Sequence, residues 1–131
     1  MNTYMMRMAF ALFMITAALG QAFAQAGATT MQEADTLFQA RKWADAARLY
    51  EAVTKAEAAN GRAWYRLGVS LHNLSRYAQA VDAYQKALAI NNKNLLAMYN
   101  LASSYARLND KEKAFEWLNK AFNAGYPHLY P

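Results

Sequence analysis

Few residues in this chain are equipped for chemistry. His72 and His128 are the only histidines, and none of the 131 residues is a cysteine. A nucleophile with its base, or a metal shell, needs such groups in convergent sets. Zinc in particular is taken by histidine and cysteine at short regular spacings, which are absent. Glu51 with Glu57 and Glu112 with Glu116 fall in stretches that read as helix surface, and Glu112 and Glu116 flank lysines able to pair with them. No catalytic residue, cofactor site or metal site is expected. What remains is recognition, by arginine and asparagine hydrogen bonds and by aromatic contact.

The elements that would position those groups recur at a fixed interval. The stretch "RAWYRLGVSLHNL", residues 62–74, returns in altered form as "LAMYNLASSYARL", residues 96–108, thirty-four positions on. With Gly61 as position 1, Trp64, Leu67, Gly68, Leu71, Ala80, Tyr84 and Ala87 stand at positions 4, 7, 8, 11, 20, 24 and 27. From Leu95 the same positions hold Met98, Leu101, Ala102, Tyr105, Ala114, Leu118 and Ala121. From Gly27 the later part matches, with Ala34, Leu37, Ala46, Tyr50 and Val53, while Thr30 and Glu33 stand at positions 4 and 7 where large apolar groups are expected. Apolar residues three and four apart gather on one helical face. In each unit a break near position 15, such as "SRY" at 75–77, separates two helices. Small residues at positions 8 and 20 let those helices approach closely, which is reason enough to keep an interior glycine that costs about 1 kcal/mol in a helix.

This spacing resembles the tetratricopeptide repeat, W-x2-L-G-x2-Y…A-x3-F…A, over about 100 residues. The proline usual at position 32 is missing, with Ala58, Asn92 and Tyr126 there. The resemblance implies an all-α, helical-hairpin repeat solenoid of three repeats, 27–60, 61–94 and 95–128, with 129–131 as a tail. Helices are expected near 28–40, 44–57, 62–74, 78–91, 96–108 and 112–125. It also implies a concave wall lined by positions 2, 5, 6, 9, 12 and 13 of each first helix. Those positions are Ala28, Met31, Gln32, Asp35, Phe38 and Gln39; then Arg62, Tyr65, Arg66, Val69, His72 and Asn73; then Leu96, Tyr99, Asn100, Ser103, Ala106 and Arg107.

By that resemblance the chain is a protein-binding module that grips an extended segment of a partner. Asn73 and Asn100 would bond the partner's backbone, and Arg62, Arg66 and Arg107 its carboxylates, which favours an acidic partner. Arg62 with Arg66 resembles half of the clamp some members use for a C-terminal carboxylate; Met31 and Asp35 stand where the other half needs lysine and asparagine. The alternative for these arginines is an ordinary solvated helix surface. A second candidate surface lies on "KEKAFEWLNKAFNAG", residues 111–125, which carries Phe115, Trp117, Leu118 and Phe122 where repeat arrays usually end in a polar cap. Either Tyr126, Leu129 and Tyr130 fold back over it, or it docks on a partner or a second copy.

The N-terminal "MNTYMMRMAFALFMITAALGQAFAQA" has the layout of a signal peptide: one positive charge at Arg7, an apolar run from Ala9 to Leu19, and Ala22-Phe23-Ala24 or Ala24-Gln25-Ala26 for cleavage after 24 or 26. A periplasmic or secreted protein is expected, folding without disulfides. The alternative is an uncleaved membrane anchor, since Met8 to Ala24 approaches the lower limit of about 17 residues for a spanning helix. Gly20 and Gln21 are expected to interrupt it. Loss of Arg7 lowers the net charge from +5 to +4, a mild excess that, with no nucleic-acid motif beside it, argues against nucleic acid as a partner.

Overall fold

The computed structural model describes residues 2–125, which are helical throughout and contain no strand. Six helices follow in order: α1 (Thr3–Gln39), α2 (Trp43–Ala56), α3 (Gly61–Asn73), α4 (Tyr77–Ile90), α5 (Leu95–Arg107) and α6 (Lys111–Asn123). They pair as hairpins α1/α2, α3/α4 and α5/α6, and the hairpins stack through α2 on α3 and α4 on α5. This is the all-α hairpin solenoid that the repeat spacing implies.

The boundaries follow from local chemistry. Asn60 and Asn94 cap α3 and α5, each side-chain oxygen accepting from an amide three residues on, Ala63 and Ala97, at 3.0 Å. A cap of this kind contributes about 0.5–2 kcal/mol. It starts both helices one residue earlier than the spacing predicts and ends the junction without the proline of position 32. Trp64 Nε1 also donates to the Ala58 carbonyl at 2.9 Å, tying the first junction to the helix after it. Inside the hairpins, Arg41, Ser75 and Asn109 adopt left-handed φ values of 57°, 59° and 62°. The amides of Lys42, Arg76 and Asp110 then return to the carbonyls of Leu37, Leu71 and Tyr105 at 2.9, 2.9 and 3.0 Å, the paired C-terminal bonds of a Schellman turn. The backbone thus carries the thirty-four-residue period on its own.

The largest departure is α1. A helix near 28–40 is expected; the observed one begins at Thr3 and runs without a break through Gly20 and Gln21. No neighbouring atom approaches Gly20, so its only cost is propensity, about 1 kcal/mol, among strong alanine, leucine and methionine helix formers. Residues 2–26 are all exposed, and Gly27 is the first residue of α1 to be shielded by the rest of the fold.

The core runs between helices as one stack of apolar side chains, from Ala34, Ala46 and Tyr50 to Leu101, Tyr105 and Ala121. Its tightest point is Gly68, where an added Cβ would lie 2.6 Å from two carbons of the Tyr84 ring. The third hairpin solves the same position with Ala102 and Leu118. In the first, Ala34 coexists with Tyr50, whose hydroxyl is drawn aside to Asp35 at 2.7 Å. Gly68→Ala should therefore destabilise by about 1–3 kcal/mol through overpacking, although helix propensity alone favours alanine. Combining it with Tyr84→Leu, which recreates the third hairpin's pair, should cost clearly less than the two single changes added together. Urea unfolding of the four proteins measures that coupling, and simple additivity would show that the glycine answers to something other than this ring.

Candidate interaction groove

The first helices of the hairpins, α1, α3 and α5, form one wall because polar side chains bridge them. Asp35 of α1 is gripped by both Arg62 and Arg66 of α3. Tyr65 Oη of α3 accepts from Asn100 Nδ2 of α5 at 3.2 Å. Ser104 Oγ donates to the Asn100 carbonyl at 3.0 Å, which leaves its lone pairs to accept from His72 Nδ1–H at 2.9 Å. The bonds between helices join residues 27–35 positions apart in sequence, and every partner except Ser104 belongs to the set implied to line the wall.

That arrangement redefines the arginine pair. The carboxylate held by Arg62 and Arg66 is the chain's own. Asp35, whose side chain is 16% exposed, also accepts from Tyr50 Oη at 2.7 Å, and Arg66 stacks 5.2 Å from the Phe38 ring centre. Burial, with the Asp35 carboxylate beside it, pushes the Tyr50 hydroxyl pKa up to about 12, so Tyr50 stays a proton donor to Asp35 at any ordinary pH. Neither of the two readings taken from the sequence, a clamp for a partner's carboxylate or a solvated surface charge, anticipated this internal lock. The spacing places Asp35 on the wall and shows that it does not match a clamp, but gives it no partner. Its tie to Arg62 spans 27 residues and to Arg66 31, so local spacing carried no signal for it.

The other expected groove residues divide. Asn73 is exposed at the end of α3, its amide donating to the Val69 carbonyl one turn back at 2.8 Å. Arg107 is exposed on α5; its Nε donates to Tyr77 Oη at 3.0 Å and its guanidinium lies 5.1 Å from that ring's centre. Val69 is half-buried against the core. Tyr99 and Ser103 face the far end of the array, where they line a cavity of about 460 Å³ together with Phe115 and Leu118. Of the second expected surface, Phe115 is exposed and Phe122 half-buried, while Trp117 packs instead across the α4–α5 junction beside Leu88 and Met98, with Lys120 Nζ 4.2 Å from its ring centre. His128, Tyr126, Leu129 and Tyr130 lie outside the described residues.

With the geometry in view, comparison with known proteins is direct. The sequence matches the tetratricopeptide repeat family over residues 31–94 and again over 95–124. The chain belongs to the tetratricopeptide repeat family. It is similar to the peroxisomal targeting signal receptor of Saccharomyces cerevisiae, 32% identical over 89 residues that make 68% of this chain and 14% of the receptor. It is also similar to superkiller complex protein 3 of Mus musculus, 32% identical over 62% of this chain and 5% of that protein. The chain thus spans a small fraction of the curated relatives it matches. Among solved structures it resembles MamA AMB-1, with a TM-score of 0.73 and 27% identity over 87% of this chain and 69% of the other. The Arabidopsis OM64 TPR domain shares the fold at a TM-score of 0.75 and 18% identity, over 80% and 87% of the two chains.

Two measurements test the wall. Arg66 is 23% exposed and Arg62 58% exposed, so the weight of the lock falls on Arg66. Arg62→Ala should cost no more than about 1 kcal/mol, as exposed pairs do, whereas Arg66→Ala or Asp35→Ala should cost about 1–3 kcal/mol by leaving a shielded partner unpaired. Equal effects in chemical denaturation would remove the distinction. Burial, reinforced by the nearby Arg107 charge, lowers the His72 pKa from its ordinary 6.5. The unfolded chain therefore binds the proton more readily than the folded one, and stability drops as pH falls through and below about 6.5. Melting temperatures between pH 7.5 and 5 should decline more steeply for the native protein than for His72→Gln; parallel curves would exclude His72 as the source.

Proposed function

We propose that the protein is an exported protein-interaction module, an adaptor or assembly factor of a bacterial envelope. It would hold an extended segment of a partner protein along the wall formed by α1, α3 and α5. The observation that carries this reading is that the wall is closed by its own polar bridges yet keeps donors at its surface: Arg62, Asn73 and Arg107 are exposed along one line of first helices. Family membership supports it, since repeats of this kind build extended concave binding surfaces. So does the name of the yeast relative, a receptor for a targeting signal. Because Asp35 satisfies Arg66, an acidic partner would be met by Arg107 and by the outer edge of Arg62.

Export rests on the signal-like N-terminus and is supported by the exposure of residues 2–26, whose removal would take no buried side chain from the core. A second reading, a structural or membrane-tethered subunit able to form homo-oligomers, is favoured by one observation. α1 is continuous, and it is long and apolar enough to cross a membrane. Within that stretch the Thr16 hydroxyl is satisfied by the Phe13 carbonyl at 2.8 Å, as a polar group in lipid would have to be.

Tagged protein recovered from its native envelope tests both readings. N-terminal sequencing should begin at Gln25 or Gly27; an intact N-terminus in the membrane fraction transfers the case to tethering. The co-purified partner should fall at least tenfold with Arg62→Glu combined with Arg107→Glu and stay unchanged with Lys86→Glu on the second helix of the middle hairpin. A partner indifferent to the groove pair refutes groove binding.

A further inference from the structure

Among the described residues nothing covers the α5/α6 end of the array, and the register of the stack states the chemistry of its complement. Position 21 is Ala47 in the first hairpin and Val81 in the second, 3% and 7% exposed beneath the helices that follow; in the third it is Phe115, 65% exposed. Leu118 and Phe122 extend the same stripe at positions 24 and 28, where Tyr50, Thr54, Tyr84 and Leu88 are all buried. With Tyr99, Ala102 and Ser103, the Phe115 and Leu118 of this stripe bound the cavity of about 460 Å³. It is therefore the seat that α3 fills on the first hairpin and α5 on the second.

The contacts of α3 and α5 state what such a helix presents. Position 2 and position 6 reach back through Arg62, Arg66 and Asn100, position 10 through Ser104, and position 13 through Arg107. Positions 3 and 7 bury Ala63, Ala97, Leu67 and Leu101. On α1 the equivalent residues, Ala28, Thr29, Gln32, Glu33, Thr36 and Gln39, are all exposed and mostly polar. A second copy stacking head to tail would press Glu33 and Gln32 onto Phe115 and Leu118, an uncompensated burial. The two ends of the array do not fit one another.

At the rim sits a further difference. Position 17 is Tyr77 in the second hairpin, where it meets the cation Arg107. In the third it is Lys111, the first residue of α6, which has no ion-pair partner among the described residues and adds its charge to the positive end of that helix.

We propose that the α5/α6 end docks an amphipathic helix of a second protein, about as long as the 13-residue α3 and α5. This helix carries small and large apolar residues four apart over Phe115 and Leu118, and a carboxylate near its C-terminal end against Lys111. The seat meets the groove set only at Tyr99 and Ser103 and leaves Arg62, Asn73 and Arg107 outside it, so two partners can be held at once.

The probe is a fluorescein-labelled peptide of residues 95–107 bearing Arg107→Glu, read by anisotropy against the full chain. Saturable binding is expected, at least fivefold tighter than for the unaltered 95–107 peptide, weakened at least tenfold by Phe115→Glu, and with the preference between peptides reversed by Lys111→Glu. Because Phe115 is exposed, Phe115→Glu should keep its helical circular dichroism; should it not, Lys111→Glu at the rim decides alone. Absence of saturable binding, indifference to both variants, or preference for the arginine peptide overturns the proposal. So does concentration-dependent dimerisation of the chain itself that Phe115→Glu abolishes, since a second copy would then fill the seat. Arg62→Glu should leave this peptide bound, which keeps failure here distinct from failure of the groove.

Discussion

Everything in this fold depends on one constraint: a helical hairpin has an apolar side that it cannot cover itself. α1 with α2 buries Ala47, Tyr50 and Thr54 beneath α3, and α3 with α4 buries Val81, Tyr84 and Leu88 beneath α5, whereas Phe115, Leu118 and Phe122 at the same positions of the last hairpin are exposed or half-buried. The cost of leaving such groups in water, about 1.5–3 kcal/mol for a large side chain, is a sizeable part of the 5–15 kcal/mol by which a domain of this size is stable. Stacking is therefore the source of stability rather than an arrangement of pieces already stable. It also gives the array a direction, with one face of each hairpin looking back and one looking forward.

Direction explains a mismatch that composition alone left puzzling. Glu33 stands where Leu67 and Leu101 stand in the later units, and Thr29 and Thr36 where the others bury Ala63 and Ala97 or Ser70 and Ser104. These are back-looking positions, and α1 has no described hairpin behind it. Polar residues there are the cap of the N-terminal end, so the weakest part of the repeat match in sequence is a consequence of its place in the stack.

The fold was legible in the sequence because its determinants are local and periodic. Apolar residues at helical spacing, small residues at positions 8 and 20, and a break near position 15 each lie within one unit, and comparing units thirty-four apart exposes them. Helix ends were legible to within a residue or two except in α1, where an apolar run read as separate from the fold continues into it as a single helix. Site chemistry was far less legible. The bond between Asn100 and Tyr65, the one between His72 and Ser104, and the grip of Arg62 and Arg66 on Asp35 all join residues 27–35 positions apart. None of them repeats from one interface to the next. Periodicity can show which residues share a wall, and is silent on which of them are spent holding it together.

That expenditure shapes what the wall can do. Asp35, Arg66, Tyr65, Asn100 and His72 are at once groove positions and, with the buried Ser104, the polar bolts between successive first helices. A buried polar group left without its partner costs about 1–3 kcal/mol, so a ligand that competes for one of these groups must offer at least as good a bond or loosen the stack. Binding is accordingly favoured where the wall has donors to spare, at Arg62, Asn73 and Arg107, and disfavoured where the bolts lie. Recognition in this array is written mostly by what the helix-to-helix contacts leave over, which is why the two open lines of exposed residues, along the groove and across α5/α6, carry different chemistry on a common scaffold.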